Sequence, residues 1–356
     1  MKSFSTVPAL GVAAMLVVFP VCAGAQTPPR SSVTIAEAVA LAVANNPALR
    51  AERAQVDAAR ADEITAALKP NPIVSTSIGG LTPFSPGTMT GRFFADDLTI
   101  NAGIDYLIER GDKRRLRVGA AADARAQVAA QVADAERQLR YQTAQSAIDV
   151  LLAQAQLAFA QTTLDDMTQA VTTHEARVRA GDLSTGDFLK ISLQKLQCEQ
   201  DVSAARLALA QAQAALRQWT GGAVAADVTV VSALDAAPFT LPADLLPLAD
   251  DRADLVAAVA AVRSAEAQLA LQRANAAVDL TAHADYTHAS SAFQPFDHTL
   301  ALSLSVPIAV HDRNQGNVAR AEATLAGAQQ SEAAARLAVA TDIAVAVAAF
   351  HDATRS

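Results

Sequence analysis

The sequence predicts a mainly α-helical protein in which each of two repeats carries a pair of membrane β-strands. Three observations lead there. Alanine supplies 85 of the 356 residues and aromatic side chains only 15, a composition suited to long, closely packed helices rather than to a broad core. The 68 residues from Lys113 to Ala180 contain no proline and would span about 100 Å as one helix. Four short segments alternate apolar and polar residues over the length of a tilted outer-membrane strand.

Residues 1–25 read as a secretory leader. Lys2 precedes an apolar run from Val7 to Val21, and Ala23-Gly24-Ala25 offers a small-residue cleavage site. Cys22 raises the alternative of a lipidated N-terminus, but Pro20 and Val21 suit it poorly, and cleavage near Gln26 is favoured. The exported chain then keeps one cysteine, Cys198, and no internal disulfide. Past the leader no run of 18 apolar residues occurs, so no transmembrane helix is expected. A net charge of -8 weighs against nucleic acid as a partner.

The first repeat is expected over 33–222. A helix runs from Val33 to about Lys69, opened by a Thr34/Glu37 capping box and closed by Lys69-Pro70-Asn71-Pro72. Val74, Thr76 and Ile78 alternate with Ser75 and Ser77, and a Gly/Pro/Thr-rich loop follows to about Ala95. Leu98, Ile100, Ala102, Ile104 and Tyr106 then alternate with Thr99, Asn101, Gly103 and Asp105, giving a strand with one apolar and one polar face. Arg110, Lys113, Arg114, Arg115 and Arg117 crowd the start of the next helix, where the macrodipole favours anions, so something outside the helix must offset them. Heptad seams from Val150 to Val178 and from Phe188 to Trp219 flank Gly181-Asp182 and predict an antiparallel helical hairpin, with Lys195 the one break.

A Pro/Ala/Asp-rich connector is expected over 223–247, and the order then recurs over 248–356. A helix from about Ala249 to Ala277 precedes a strand in which Leu280, Ala282, Ala284 and Tyr286 oppose Thr281, His283, Asp285 and Thr287. A loop with Phe293, Pro295 and Phe296 leads to a second strand, Leu300 to Val306, and then to a long helix from Asn314. This repeat has 43 residues from Asn314 to Ser356, against 108 from Lys113 to Thr220 in the first. Completing it would take a further helical hairpin of about 65 residues, so the second repeat is expected to be truncated, and a chain lacking that hairpin to expose an apolar stripe and fail in transport.

Four stretches carry a family resemblance: Ala42 to Ala66 (AVANNPALRAERAQVDAARADEITA), Gly111 to Ala124 (GDKRRLRVGAAADA), Arg179 to Lys190 (RAGDLSTGDFLK) and Val306 to Ala323 (VPIAVHDRNQGNVARAEA). The chain resembles the TolC family of outer-membrane efflux proteins, most of all its CzcC-type heavy-metal branch, from about Val33 onward. The resemblance implies a homotrimeric outer-membrane β-barrel continued into the periplasm of a Gram-negative bacterium by a long α-helical barrel. It implies docking to a periplasmic adaptor (a membrane fusion protein) and an inner-membrane RND pump, with heavy-metal cations as cargo. Under it, Gly181, Asp182, Leu183 and Ser184 form the periplasmic tip where the adaptor engages. The basic cluster Arg110, Lys113, Arg114, Arg115 and Arg117 lies at the membrane junction, where anionic lipid headgroups would contribute about 1 kcal/mol per cation. Asp105, His283 and Asp285 are the candidates to face the lumen.

No catalytic constellation, cofactor motif or metal-ligand spacing is present, and an enzyme is not expected. The six histidines are scattered, and His283 and His288, five apart on a strand, point to opposite faces. His174 and Cys198 read as seam residues. A duct for drugs or secreted proteins is the alternative cargo reading. A periplasmic coiled-coil adaptor or structural protein is the alternative from a different class.

Overall fold

The computed structural model describes residues 29–79, 98–231, 241, 245, 249–289 and 297–355. The expected leader, most of the loop after Gly79, the loop holding Phe293, Pro295 and Phe296, and most of the connector beyond Val231 lie outside these residues. In chain order the elements are strand β1 (Arg30–Val33), helices α1 (Ile35–Asn45) and α2 (Pro47–Ala67), strands β2 (Ile73–Gly79) and β3 (Thr99–Ile108), helices α3 (Lys113–Ala180) and α4 (Thr185–Trp219), strand β4 (Val224–Val230), helix α5 (Ala253–Asn275), strands β5 (Leu280–Ala289) and β6 (His298–Ser305), and helix α6 (Gln315–Ala353).

The Thr34 capping box forms: its Oγ1 accepts the Glu37 N–H at 3.2 Å, and the Glu37 carboxylate accepts the Thr34 N–H at 2.8 Å. The single helix expected from Val33 to Lys69 is instead two, broken at Asn46. Pro47 starts α2, where its missing N–H has no helical partner to lose. The Asn46 side chain caps α2 through the Ala48 and Leu49 N–H groups and donates to the Trp219 carbonyl at 2.9 Å. The break therefore grips the end of α4, 173 residues away in the chain.

Helix α3 is continuous over all 68 residues. Both heptad seams are buried or half-buried along their length, and Lys195 pairs with Glu199 at 3.4 Å at the seam's edge. The stretch read as a connector opens with β4, which pairs in parallel with β1: Ser32 faces Thr229 and Val33 faces Val230. Its Val224, Val228 and Val230 join Val33, Ala38, Ala147, Val150, Leu151 and Leu216 in the main core. Gln154 and Gln213, one from each helix of the hairpin, hydrogen-bond the β4 backbone at 3.2 and 3.0 Å. The core thus sits midway along α3, away from strands β2, β3, β5 and β6.

The other four strands form one antiparallel sheet in the order β2-β3-β5-β6, so the two hairpins join edge to edge. Helix α6 differs from the sequence expectation that no helix could cross a membrane. By length and composition it could, because alanine and valine dominate it, yet almost none of its most apolar stretch is buried in the protomer.

Asn46 is 6% exposed, so Asn46→Ala removes a cap and leaves the Trp219 carbonyl without its donor. We expect the full chain in detergent to lose about 2 kcal/mol of stability, seen as a lower melting temperature. An unchanged melt would remove Asn46 from any role in joining α1, α2 and α4.

Candidate functional site

The four-stranded sheet has two chemically distinct faces, and its register decides which residues meet. On one face the cross-strand pairs Tyr286–Leu300, Ala284–Leu302 and Ala282–Leu304 form an apolar band, continued on β2 and β3 by Val74–Ile104 and Ile78–Ile100. Leu302 is 77% exposed in the protomer, as a side chain that meets lipid must be.

The opposite face is polar. Asp105 lies opposite His283, Gly103 opposite Asp285 and Asn101 opposite Thr287. His283 Nδ1 is 2.6 Å from Asp105 Oδ1. The Thr287 hydroxyl bonds Asn101 Oδ1 at 2.7 Å and lies 3.0 Å from Asp285 Oδ2, while the Asn101 amide donates to Ser77 Oγ at 3.1 Å. Gly103 makes this crowding feasible: a Cβ there would come within 2.9 Å of Ser75 Oγ and 3.1 Å of Asp285 Oδ1. The three candidates for the lumen therefore share one face, and Asp105 and His283 touch. Among the described residues no group of three or more His, Cys, Asp or Glu is placed to hold a metal ion. What this face offers chemically is a row of carboxylate, imidazole, amide and hydroxyl groups bonded to one another across the strands.

The basic cluster lies where the sheet meets the helices, and most of it is engaged within the protein. Arg114 Nε donates to the Ala67 carbonyl at 2.8 Å; Arg117 donates to the carbonyls of Ala66 and Leu68, each at 3.0 Å, and pairs with Glu109. The charges that repel the N-terminus of α3 thus satisfy the orphan carbonyls and negative dipole end of α2. Lys113, only 8% exposed, pairs with Asp279 at 2.8 Å, and the same carboxylate accepts the Arg110 N–H at 2.9 Å. Arg115 makes only an exposed pair with Asp112 at 3.1 Å. A second junction follows the same plan: the Asn314 amide donates to the Gln272 carbonyl near the end of α5 at 2.6 Å. Asp112 and Asn314 precede their long helices with φ of 57° and 61°, the left-handed region that Asp and Asn tolerate better than other non-glycine residues.

Burial pushes the Asp279 carboxyl up, but the Lys113 ammonium and the Arg110 N–H outweigh it and hold the group below the usual carboxylate range. Sequence reasoning missed Asp279 and Glu109 as partners. Asp279 is 166 residues from Lys113, and nothing in its neighbourhood signals the pairing.

At the other end of α3, Gly181 adopts φ 85° and closes the helix: its N–H reaches the Val178 carbonyl at 3.0 Å, and the Asp182 N–H reaches Arg177 at 2.9 Å. Ser184 caps α4, its Oγ accepting the Asp187 N–H at 3.1 Å. Asp182 and Ser184 are exposed and Leu183 is half-buried. His174, further up the hairpin, is half-buried in the seam as expected.

A model of the outer membrane efflux protein family matches residues 38–222. Over 287 residues the chain is 26% identical to the cobalt-zinc-cadmium resistance protein CzcC of Cupriavidus metallidurans, which covers 80% of this chain and 65% of that protein. The chain therefore spans about two thirds of the length of that relative. Its fold is similar to crystal structures of CusC (TM-score 0.69, 20% identity, 86% of this chain and 72% of that one). It is also similar to the open-state MtrE outer membrane channel of Neisseria gonorrhoeae (TM-score 0.69, 20% identity, 90% and 74%).

Removing the Asp279 carboxylate strands a nearly buried lysine. We expect Asp279→Ala to cost about 2 kcal/mol, and Lys113→Met in the same chain to recover part of it. Because the folded-state pKa of Asp279 is lowered, its stabilisation is full above the unfolded value, about pH 4, and is lost as pH falls through the folded value. Melting temperatures from pH 7 to pH 3 should fall less steeply in Asp279→Ala than in the parent. Parallel curves would remove this pair from the acid response.

Proposed function

The chain belongs to the outer membrane efflux protein family, and we propose that it forms the outer-membrane duct of an export system for heavy-metal cations. The observation that carries the cargo is the 26% identity, over 80% of the chain, with a protein named for cobalt, zinc and cadmium resistance. The polar face supports it, because Asp105 and Asp285 set two carboxylates per protomer beside the expected path without a tight site that would slow exit.

The assembly we propose is a homotrimer. Four strands of these lengths cannot enclose a water-filled passage, whereas strands from several copies can. The helices extend about 100 Å from the sheet, enough to cross much of the periplasm and meet a periplasmic adaptor and an inner-membrane RND pump. The turn Gly181–Ser184 is the adaptor contact in this reading, and Arg110 and Arg115 are the cluster members best placed to meet lipid headgroups. No catalytic step is required. The duct is passive, and energy enters at the pump.

Two measurements test this reading. The native protein should fractionate with the outer membrane as a trimer, and a soluble periplasmic monomer would refute the architecture. Deleting its gene should raise sensitivity to cobalt, zinc, cadmium, copper or silver salts. Unchanged metal tolerance with new drug sensitivity would move the cargo to the alternative class while leaving the duct intact.

A further inference from the structure

The ends of β5 and β6 remote from the helices hold a histidine pair that the proposed conduit does not use. His288 and His298 are cross-strand partners, and their rings stack with centroids 4.8 Å apart and planes 25° from parallel. The neighbouring pair is hydrogen-bonded, since the Ala289 N–H reaches the Asp297 carbonyl at 3.2 Å. His288 and His298 therefore occupy a non-hydrogen-bonded position, where facing side chains lie closest. Both lie on the apolar face, one step beyond Tyr286 and Leu300 and in one row with Ile100 and Ile78.

The hydrogen bonds at the two Nδ1 atoms set the chemistry. His288 Nδ1 is 2.9 Å from the Asp297 carbonyl oxygen. A carbonyl can only accept, so Nδ1 carries the proton and Nε2 keeps its lone pair. A backbone carbonyl that fixes the tautomer in this way is the usual outer partner of a metal-binding imidazole. His298 Nδ1 is 2.7 Å from the Tyr286 hydroxyl; a hydroxyl can accept as well as donate, so His298 can carry its proton on Nδ1 and leave the second Nε2 free. An interfacial aromatic pair would need only the stacking. The fixed tautomer, with a second imidazole directly opposite, is what points to a metal.

We propose that His288 and His298 form a bidentate site for a divalent transition-metal ion of the class that prefers imidazole, bound through the two Nε2 atoms with water completing its coordination. To bring both nitrogens to about 2 Å from one ion, the rings must turn out of their stack so that the two in-plane lone pairs converge. The bound ion bridges β5 and β6 at the far end of their hairpin. The site is separate from the polar face, because His283 and Asp105 lie on the other side of the sheet. The proposal does not depend on what the duct exports.

The test uses the full chain without a histidine tag, in detergent, with Cu(II) as the probe because it heads the affinity order for nitrogen ligands. The parent should bind Cu(II) with an electron paramagnetic resonance spectrum showing two coordinated nitrogens. His288→Ala and His298→Phe should each weaken binding about tenfold or more and reduce the signature to one nitrogen. His298→Phe keeps an aromatic ring in the stack, so its melting temperature without copper reports whether the sheet is intact. His283→Asn should leave the affinity unchanged. Parent-like binding in either pair variant, or an equal loss in His283→Asn, would overturn the assignment.

Discussion

A sheet in hydrocarbon must satisfy every backbone N–H and C=O from within the protein, because no water reaches it. Among the described residues β2 and β6 are edge strands, each paired on one side only. The protomer therefore carries two open rows of donors and acceptors beside an apolar face already suited to lipid. The order β2-β3-β5-β6 makes those edges complementary ends of one ribbon, so a head-to-tail ring of copies can leave no edge exposed. The trimer proposed above meets this constraint. The exposed α6 shows the same incompleteness among the helices.

The junction between sheet and helices follows from a second electrostatic fact. A helix that starts beneath a strand pair must place its positive dipole end where the chain also ends another helix. At the α2–α3 crossing the two ends compensate: guanidinium groups from the first turns of α3 cover the last carbonyls of α2, and Asp279 closes the array from the second repeat. The cationic cluster is thus mainly a joint. Asn314 and Gln272 repeat the joint with neutral groups, so the geometry is retained where the charge is not.

The sequence made the large-scale design readable because its signals are local and periodic. The limits of α3, the heptad seams, the capping box at Thr34 and the alternation of all four barrel strands rest on patterns a few residues long. What escaped depends on distant partners. Strand β4 has only seven residues, two of them alanine and one aspartate, and its strand partner lies nearly 200 residues earlier. Asn46-Pro47 could have marked a break, but the helical pattern on either side hid it. On the polar face, alternation placed Asp105, His283 and Asp285 together in parity, whereas the contact between Asp105 and His283 needed the β3–β5 register. The His288–His298 pair needed the register of the last hairpin in the same way.

The uninterrupted course of α3 has a mechanical meaning. It lies beside a column built in pieces: α1 and α2 meet at Asn46, and α4 ends at Trp219, whose carbonyl Asn46 holds. A continuous helix is stiff along its axis, while a seam between abutting helices is compliant. A load on the Gly181 turn meets one unbroken helix that leads up to the valine-rich waist where β1 and β4 clasp the hairpin. That small parallel ribbon is positioned as a collar, tied to α3 through Gln154 and to α4 through Gln213, and it keeps the rod and the jointed column from parting.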